Sequence, residues 1–409
     1  MAYCDLCDSL FLYGFFNSLF TKILFLRTLR KKGVYSYIFN LCRGRVSKSL
    51  KDAIFIGLVS KVLIFSLGFV MTYLNEGPSH PISILMHQFC RWDSNHYISI
   101  AKNWYSNVGE QRFFIVFLPL YPILIRLTTF DYRYMNLSAL LISNVSSIIA
   151  MVYLFKLAKL DFGDDVAKRS VLYFSIYPTA YFLCAIYTEG LFLALATACV
   201  YYARKGRWLV AGVLGMLSSL TRIFGIILLP TLIIEYLLQR RWKWREVNIN
   251  IFWSGLVLVG FLIYLIINYK VTGDFFTFME IERTHWYQSI DPLLGLERAW
   301  RRAISASFPE NITVGSAQII FALLGLLGVA GSFFRLRLSY SVYMLFTWMM
   351  SVSTSFWISV PRYVMAMFPL FILLSLCGRR KEFNYIAISV FSVSLYFFTI
   401  LFSLGQWAF

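Results

Sequence analysis

A run of acidic, basic and aromatic side chains near position 93 is the part of the sequence best suited to chemistry. It contains Arg91, Trp92, Asp93, His96 and Tyr97. A carboxylate with guanidinium and imidazole neighbours can act as a general base, a metal ligand or a group that binds sugar hydroxyls. The alternative is a solvated surface carboxylate among aromatic residues at a membrane interface, and the residue types leave both interpretations open.

Two arginines interrupt apolar sequence, and each could hold a phosphate group. Arg222 divides the apolar stretch 209–238, and Arg362 lies beside Tyr363 just before another apolar stretch. A guanidinium binds phosphate through two parallel hydrogen bonds. An arginine in the centre of a bilayer costs about 2.5–3.5 kcal/mol. The alternative is an arginine whose charged end reaches the membrane surface, with Tyr363 as an interfacial anchor.

Glu189 follows Tyr187 and Thr188 between two apolar runs. A carboxylate at the start of a helix is stabilised by the helix dipole, so helix capping is one interpretation. An acid within membrane sequence is also a candidate for function. Both interpretations stay open.

Two further segments could contribute to a site. Pro119 and Pro122 flank Tyr121 in an apolar stretch, and prolines at this spacing break a helix and free backbone carbonyls, as in a loop that returns to the bilayer. Farther along, Glu282 and His285 are three residues apart, on one face of a helix, followed by Trp286. The pair is compatible with a metal, but a solvated amphipathic helix is the better interpretation.

The elements that must position these residues are membrane helices. Of the 409 residues, 59% are hydrophobic and 14% are charged, with a mean hydropathy of +0.67. Soluble domains contain roughly 25% charged residues, and 20 helical residues span roughly 30 Å of hydrocarbon. The composition excludes soluble, disordered and fibrous proteins and predicts an all-α integral membrane protein.

The hydropathy pattern predicts about eleven spans, and the run 9–26 is a further span or an interfacial helix. The predicted spans cover residues 53–74, 136–156, 170–184, 188–203, 209–220, 223–238, 250–268, 314–334, 340–358, 363–377 and 384–404. We divide the chain into an N-terminal hydrophobic and basic segment, 1–52, a catalytic module, 53–238, and a C-terminal module, 239–409. The apolar segment 113–127, broken by its prolines, is predicted to be juxtamembrane or re-entrant.

The distribution of basic residues predicts which loops share a side. The short connections on one side, together with 27–52, hold 24 of the 38 Lys and Arg residues, and the other side holds 12. The positive-inside rule places the first set in the cytoplasm. The first loop (75–135) and the second loop (269–313) then lie together on the exterior or luminal face. This explains the net charge of +18 without nucleic-acid binding.

Other patterns exclude several classes of protein. The seven scattered cysteines form no disulfide framework, and one isolated Cys-x-x-Cys pair is not a zinc site. We find no phosphate-binding loop, dinucleotide fingerprint, metalloprotease motif or nucleophile elbow, and no transporter-type repeat. No cleavable signal is expected, because positive charge follows the first apolar run.

Taken in order along the chain, the motifs resemble the PIG-V family of mannosyltransferases. The matching residues are Arg91-Trp92-Asp93-Ser94-x-His96-Tyr97, Leu118-Pro119-Leu120-Tyr121-Pro122, Tyr187-Thr188-Glu189-Gly190-Leu191-Phe192, Leu220-Thr221-Arg222-x-x-Gly225, Gly273-Asp274-Phe275 and Pro361-Arg362-Tyr363. The resemblance covers about residues 53–377. It implies a GT-C glycosyltransferase fold with about 11–12 transmembrane helices, and a sugar donor of the dolichyl- or polyprenyl-phosphate mannose type.

The resemblance also implies roles for the candidate residues. The essential acid of the first loop is Asp93, tuned by Arg91 and His96. The set expected to bind donor or acceptor is Trp92, Tyr97, Tyr121, Glu189, Arg222, His285, Trp286, Arg362 and Tyr363. No cofactor is implied, and we expect neither a divalent metal nor a nucleic-acid partner. The sequence does not predict an oligomeric state.

The sequence therefore predicts transfer of mannose, or a similar hexose, to a lipid-linked or glycan acceptor in contact with membrane lipids. The family includes the enzyme that adds the second mannose to glycosylphosphatidylinositol precursors, but the short chain and short second loop are more similar to prokaryotic members. The housing membrane is the cell membrane for a prokaryotic protein and the endoplasmic reticulum for a eukaryotic one. The alternatives are a lipid-linked substrate transporter or flippase, and a non-catalytic scaffold.

Overall fold

The structure is a computed structural model that describes residues 47–77 and 80–409. The contacts divide the chain into Met1–Lys51 and Asp52–Phe409. The predicted modules 53–238 and 239–409 therefore lie within one compact unit. The predicted run 9–26 lies outside the described residues.

The described residues fold into α-helices joined by short 3-10 segments and turns. The first half contains α1 (Lys48–Glu76), α2 (Pro81–Gln88), α3 (Ser94–Asn103), α4 (Leu120–Thr128), α5 (Met135–Phe162), α6 (Asp164–Ser175), α7 (Glu189–Arg204), α8 (Trp208–Ser219) and α9 (Leu228–Gln239). The second half contains α10 (Leu256–Thr272), α11 (Thr277–Thr284), α12 (Pro292–Ser305), α13 (Ala317–Arg335), α14 (Leu338–Ser351), α15 (Val360–Met365), α16 (Pro369–Cys377) and α17 (Lys381–Ser403).

Five helical stretches among the described residues are long and apolar enough to cross a membrane. They are Lys48–Glu76, Tyr132–Phe162, Ile249–Thr272, Asn311–Arg335 and Lys381–Ser403. These coincide with five of the eleven predicted spans and confirm an all-helical membrane protein. The other predicted spans are shorter helices or broken pairs, because an apolar run of 12–16 residues has the same composition in a short buried helix as in a membrane span.

The stretch predicted as a span at 170–184 shows how this difference arises. Helix α6 ends at Ser175, and a largely irregular segment from Ile176 to Thr188 follows, almost entirely buried, with one short 3-10 helix at Ala180–Leu183. Buried irregular backbone needs hydrogen-bond partners. Lys61 on α1 donates to the carbonyl of Leu183 at 2.9 Å, and Ile186 donates to the carbonyl of Phe89 at 3.1 Å. The segment is thus held by protein rather than by lipid.

The proline-containing segment of the first loop is bent, as predicted. The 3-10 segment Gly109–Val116 and helix α4 meet at 114°, the geometry of a broken span or a re-entrant loop. Leu120, at the start of α4, donates its backbone N–H to the carbonyl of Leu220 at 3.0 Å. This hydrogen bond connects the proline motif to the turn that carries Arg222.

The first and second loops pack against each other. Phe278 and Ile281 on α11 share one buried apolar cluster with Ile115 and Tyr264. The hydroxyl of Tyr264 on α10 donates to the carbonyl of Ile115 at 2.8 Å. The contact between the two loops is consistent with the prediction that they lie on the same side of the membrane.

A second polar cluster joins stretches that the charge distribution assigns to the other side. Arg204 at the end of α7 pairs with Asp161 near the end of α5 at 2.6 Å. Arg337 pairs with the buried Glu235 of α9, also at 2.6 Å. The contacts bring together the helix ends at 161, 204, 235 and 337, consistent with the predicted grouping of the basic connections.

Candidate active site

Asp93 lies at the position that precedes the first turn of α3, but its side chain does not cap the helix. The backbone carbonyl of Asp93 accepts from His96 at 3.0 Å, while the carboxylate makes no capping hydrogen bond. The preceding residue, Trp92, has a φ of +52°, a left-handed conformation that costs roughly 1–2 kcal/mol for a residue with a side chain. The turn therefore directs a carboxylate away from its helix.

That carboxylate meets a buried arginine. Oδ2 of Asp93 lies 3.5 Å from Nη1 of Arg362, and the side chains are 22% and 9% exposed, respectively. Asp93 is thus open enough to reach a substrate, whereas Arg362 is enclosed. Arg362 is the third residue of α15, after Pro361.

Glu189 connects Arg362 to the second predicted arginine. Its Oε1 lies 3.3 Å from Nε of Arg362 and also accepts a short hydrogen bond from Nη1 of Arg222. The same Nη1 of Arg222 donates to the hydroxyl of Thr188 at 2.9 Å. Asp93, Glu189, Arg222 and Arg362 therefore form one chain of charges, from helices α3, α7 and α15 and the turn after α8.

Aromatic rings line this chain of charges. The guanidinium of Arg362 lies 5.4 Å from the ring centre of Tyr363, and that of Arg222 lies 5.7 Å from the same ring. Arg362 also lies 5.1 Å from the ring centre of Phe182 and 5.5 Å from that of Tyr187, whose hydroxyl donates to the carbonyl of Arg91 at 3.1 Å. The two arginines are thus fixed by ring faces as well as by Glu189.

Two glycines of the predicted motifs are required by close packing. A Cβ on Gly190 would lie 2.6 Å from the carbonyl oxygen of Ser143, where α7 crosses α5. A Cβ on Gly225 would lie 2.3 Å from the backbone nitrogen of Ser219, inside the turn that carries Arg222. Both positions accept only glycine without movement of the backbone.

His96 and Trp286 bring the second loop into contact with the Asp93 helix. Their ring centres are 5.7 Å apart, and His96 also stacks on Phe117 at 4.9 Å. Burial lowers the pKa of His96, the charge of Asp93 opposes this shift, and His285 adds to it. His285 itself stacks on Phe113 at 3.7 Å. His96, His285 and Trp286 therefore belong to one aromatic wall beside Asp93.

Glu282 is a member of this site that the sequence placed only in a candidate metal pair. Burial, together with the nearby charge of Asp93, raises the pKa of Glu282 to about 7. The spacing of Glu282 from His285 was the sequence signal for this residue. That signal was compatible with a metal ligand, whereas the structure shows an acid with a raised pKa near Asp93. Among the described residues, no group of three or more His, Cys, Asp or Glu side chains is arranged to hold a metal ion.

Three predicted site residues have structural contacts instead. Arg91 pairs with Glu76 at 2.8 Å and donates to the carbonyl of Ser403 at 3.1 Å, so its partner is not Asp93. Tyr121 is fully buried, and its hydroxyl bonds with the carbonyl of Ala139 and with Ser143. Tyr97 is buried edge-on against the Tyr121 ring at 5.3 Å. The two tyrosines support the site from behind, because burial leaves no face for a ligand, whereas the half-buried Arg91 anchors the loop through Glu76 and Ser403.

Trp92, also predicted to belong to the site, is exposed to solvent. It is 39% exposed and packs edge-on against Trp407 at 4.9 Å. The Gly273-Asp274-Phe275 motif, by contrast, forms the turn after α10, where the hydroxyl of Thr272 donates to the carbonyl of Asp274 at 3.0 Å. That motif positions α11 rather than a ligand.

Comparison with known proteins gives a family match for part of the chain. Residues 79–268 match the family described as Mannosyltransferase (PIG-V). No curated protein matches the chain at a significant level. Among solved structures, the Archaeoglobus fulgidus oligosaccharyltransferase is similar at 11% identity, with a TM-score of 0.44 for the form tethered to an acceptor peptide that contains the NVT sequon and 0.43 for the apo form.

These alignments cover 86% of this chain, which spans about half the length of the oligosaccharyltransferase, 55% and 56% in the two structures. The family match covers the segment that carries Asp93, the proline motif, Glu189 and Arg222. Residues 79–268, less than half of the chain, are thus similar to the PIG-V mannosyltransferases, and the long apolar helices are those of an integral membrane protein.

Proposed function

We propose that the protein transfers mannose, or a similar hexose, from a dolichyl- or polyprenyl-phosphate sugar to an acceptor hydroxyl, with Asp93 as the general base. The observation that carries this proposal is the pairing of an accessible Asp93 carboxylate with the enclosed Arg362 at 3.5 Å. A base must reach the acceptor, and a cation must lie where the phosphate departs. One contact supplies both groups.

The reaction balances with these groups alone. The acceptor oxygen attacks the anomeric carbon while its proton passes to an oxygen of Asp93. The bond from the anomeric carbon to the phosphate oxygen breaks, and the lipid phosphate leaves with the electron pair from the opposite face of the sugar. The transfer inverts the anomeric configuration, and the proton on Asp93 then passes to solvent.

The two arginines stabilise the departing phosphate. Each guanidinium has five N–H donors, and Arg222 and Arg362 share Oε1 of Glu189. Glu189 thus holds the two cations side by side, and the remaining N–H groups are available for phosphate oxygens. We assign Glu189 to positioning rather than to the direct binding of sugar hydroxyls that the sequence predicted.

The distribution of basic residues supports a site on the exterior or luminal face, in the cell membrane of a prokaryote or the endoplasmic reticulum of a eukaryote. The acceptor in this proposal is a lipid-linked saccharide or another glycan. The reaction requires no divalent metal, so we expect EDTA to leave the initial rate of transfer unchanged.

The test is a transfer assay with purified full-length protein, radiolabelled dolichyl-phosphate mannose and a lipid extract of the source organism. We expect Asp93→Asn to lower the rate by about 10²–10⁴-fold, because the amide cannot accept the proton. Asp131→Asn is the matched control, since Asp131 is an acid of the same loop that pairs with the exposed Arg133. It should keep the wild-type rate.

Donor binding separates chemistry from folding in this assay. Asp93→Asn should bind the donor and elute as folded protein while label transfer is lost. Transfer at the wild-type rate by Asp93→Asn would refute the base assignment. No transfer by wild type, with the donor bound and moved across vesicles, would favour the flippase alternative.

A further inference from the structure

Asp93 borders a second set of polar groups that the proposed transfer does not yet use. His96 and Trp286 lie beside it, and Glu282 lies close enough for the charge of Asp93 to act on it. These residues come from α3, α11 and the turn after α11. They are distinct from the arginine side of the site, which α15 and the turn after α8 supply.

The position of Glu282 is fixed by the packing of α11. Phe278 and Ile281 are buried in the cluster shared with the first loop. Glu282 is four residues after Phe278, so its side chain lies on the same side of the helix. It is half-buried rather than in open solvent. An acid on the packed side of an amphipathic helix is unfavourable unless a partner satisfies it.

The described residues do not provide such a partner for Glu282. Within the described part of the chain, the carboxylate of Glu282 makes no hydrogen bond and no ion pair. Two neighbouring polar atoms are also buried without a hydrogen-bond partner, Nδ1 of His96 and Nε1 of Trp286. Buried polar atoms are normally satisfied, so these two atoms and the half-buried Glu282 carboxylate, all near Asp93, indicate a ligand with several hydroxyl groups.

We propose that Glu282, together with His96 and Trp286, binds the acceptor, a sugar or related polyol whose neighbouring hydroxyls flank the hydroxyl that reacts. The proposal rests on the proposed function and assigns the acceptor side of the same site. A carboxylate accepts hydrogen bonds from two adjacent hydroxyls, and the indole N–H of Trp286 donates to a third oxygen. The aromatic wall packs against the apolar face of the ring.

The test is equilibrium binding, which does not require turnover. Full-length protein in nanodiscs is titrated with tritiated octyl α-mannoside, below its micelle concentration, and with octanol as a competitor of the same chain length. We expect Glu282→Gln to bind the glycoside about tenfold more weakly than wild type. Trp286→Phe, which keeps a ring and loses the N–H, should bind it several-fold more weakly. Octanol should not compete.

Glu280→Gln is the matched control, because Glu280 is exposed on the same helix. It should bind the glycoside as wild type does. Equal affinity in wild type, Glu282→Gln and Trp286→Phe would overturn the proposal, as would competition by octanol. If the glycoside binds as expected but no mannose is transferred, the proposed function fails while the polyol subsite stands.

In the transfer assay, Glu282→Gln should raise the half-saturating amount of lipid extract and leave the KM for dolichyl-phosphate mannose unchanged. A merely structural residue would change both or lower kcat alone. An unchanged half-saturating amount of extract would contradict the acceptor role.

Discussion

At the scale of single residues, chemical type indicated Asp93 and the two arginines, but neighbours in sequence did not indicate the pairs. Arg91 is two residues from Asp93 and pairs with Glu76, whereas Arg362 is far away in sequence and pairs with Asp93. Arg91 also donates to the carbonyl of Ser403, and this hydrogen bond fixes the first loop to α17. Residue type predicts capability, and only the fold brings the partners together.

The raised pKa of Glu282 predicts a dependence of stability on pH. Its ordinary value is 4.5, and in the folded protein it is about 7. The folded state therefore binds the proton of Glu282 more tightly than the unfolded state does. The resulting contribution to the free energy of unfolding is fully present below pH 4.5. It declines as the pH rises through 7. Glu282→Gln should melt at the wild-type temperature at pH 4.5 and about 2 °C or more above it at pH 8.

The measurement is the apparent Tm of both proteins across this pH range, with Glu280→Gln as a control that follows wild type. A difference between Glu282→Gln and wild type that is the same at pH 4.5 and pH 8 would contradict the raised pKa.

At the scale of elements, the turns decide where the charges meet. Arg222 follows α8, and its turn is closed by Gly225 donating to the carbonyl of Arg222 at 2.8 Å. The bend between Gly109–Val116 and α4 is fixed to the same turn through Leu220. Two of the short motifs therefore lie at turns, and these turns bring Asp93 and Arg222 to the site.

Gly225→Ala tests this element. The new Cβ would lie 2.3 Å from the nitrogen of Ser219, so the turn must open and Arg222 must move away from Glu189. We expect a loss of transfer of about tenfold or more with the chain still folded, since a displaced catalytic group costs roughly 10²-fold. Gly255→Ala is the control, because a Cβ on Gly255 would lie more than 4 Å from the neighbouring atoms of the described residues. Equal rates for both variants would show that this turn does not position Arg222.

At the scale of the whole molecule, two polar clusters connect the helices to one another. One is the site itself, and the other is centred on Glu235, which is buried on α9. Its Oε2 accepts from Arg337 at 2.6 Å and from Ser339 at 2.7 Å, and Arg204 lies 3.5 Å from its Oε1. This second cluster joins helix ends from both predicted modules, and both modules lie in the compact unit Asp52–Phe409.

Glu235→Gln should destabilise the whole helical unit rather than the reaction. The change leaves Arg204 and Arg337 without their buried carboxylate, and breaking such a pair costs about 3–5 kcal/mol. We expect the apparent Tm to fall by about 5–10 °C while the rate per folded molecule stays near wild type. Glu246→Gln is the control, because Glu246 pairs with Lys243 on the surface. A Tm within about 1 °C of wild type would show that Arg204 and Arg337 do not depend on Glu235.

Local properties of the sequence were enough to predict the class of protein, the resemblance to the PIG-V family and the four charged residues that the structure brings together, Asp93, Glu189, Arg222 and Arg362. Hydropathy, charge and residue type are properties of each single residue, so the sequence contains them without any tertiary contact. The same properties do not distinguish a membrane helix from the buried segment 176–188, and five helices among the described residues are long and apolar enough to cross a membrane.

Which charges neutralise one another depends, in contrast, on the tertiary structure. The fold pairs Asp93 with Arg362 rather than with Arg91, assigns Tyr97 and Tyr121 to support, and places Glu282 beside the base. Such pairings depend on distances of a few ångströms between residues that are far apart in the chain. Those distances are set by how short helices and turns pack, because Coulomb and hydrogen-bond energies fall within that range.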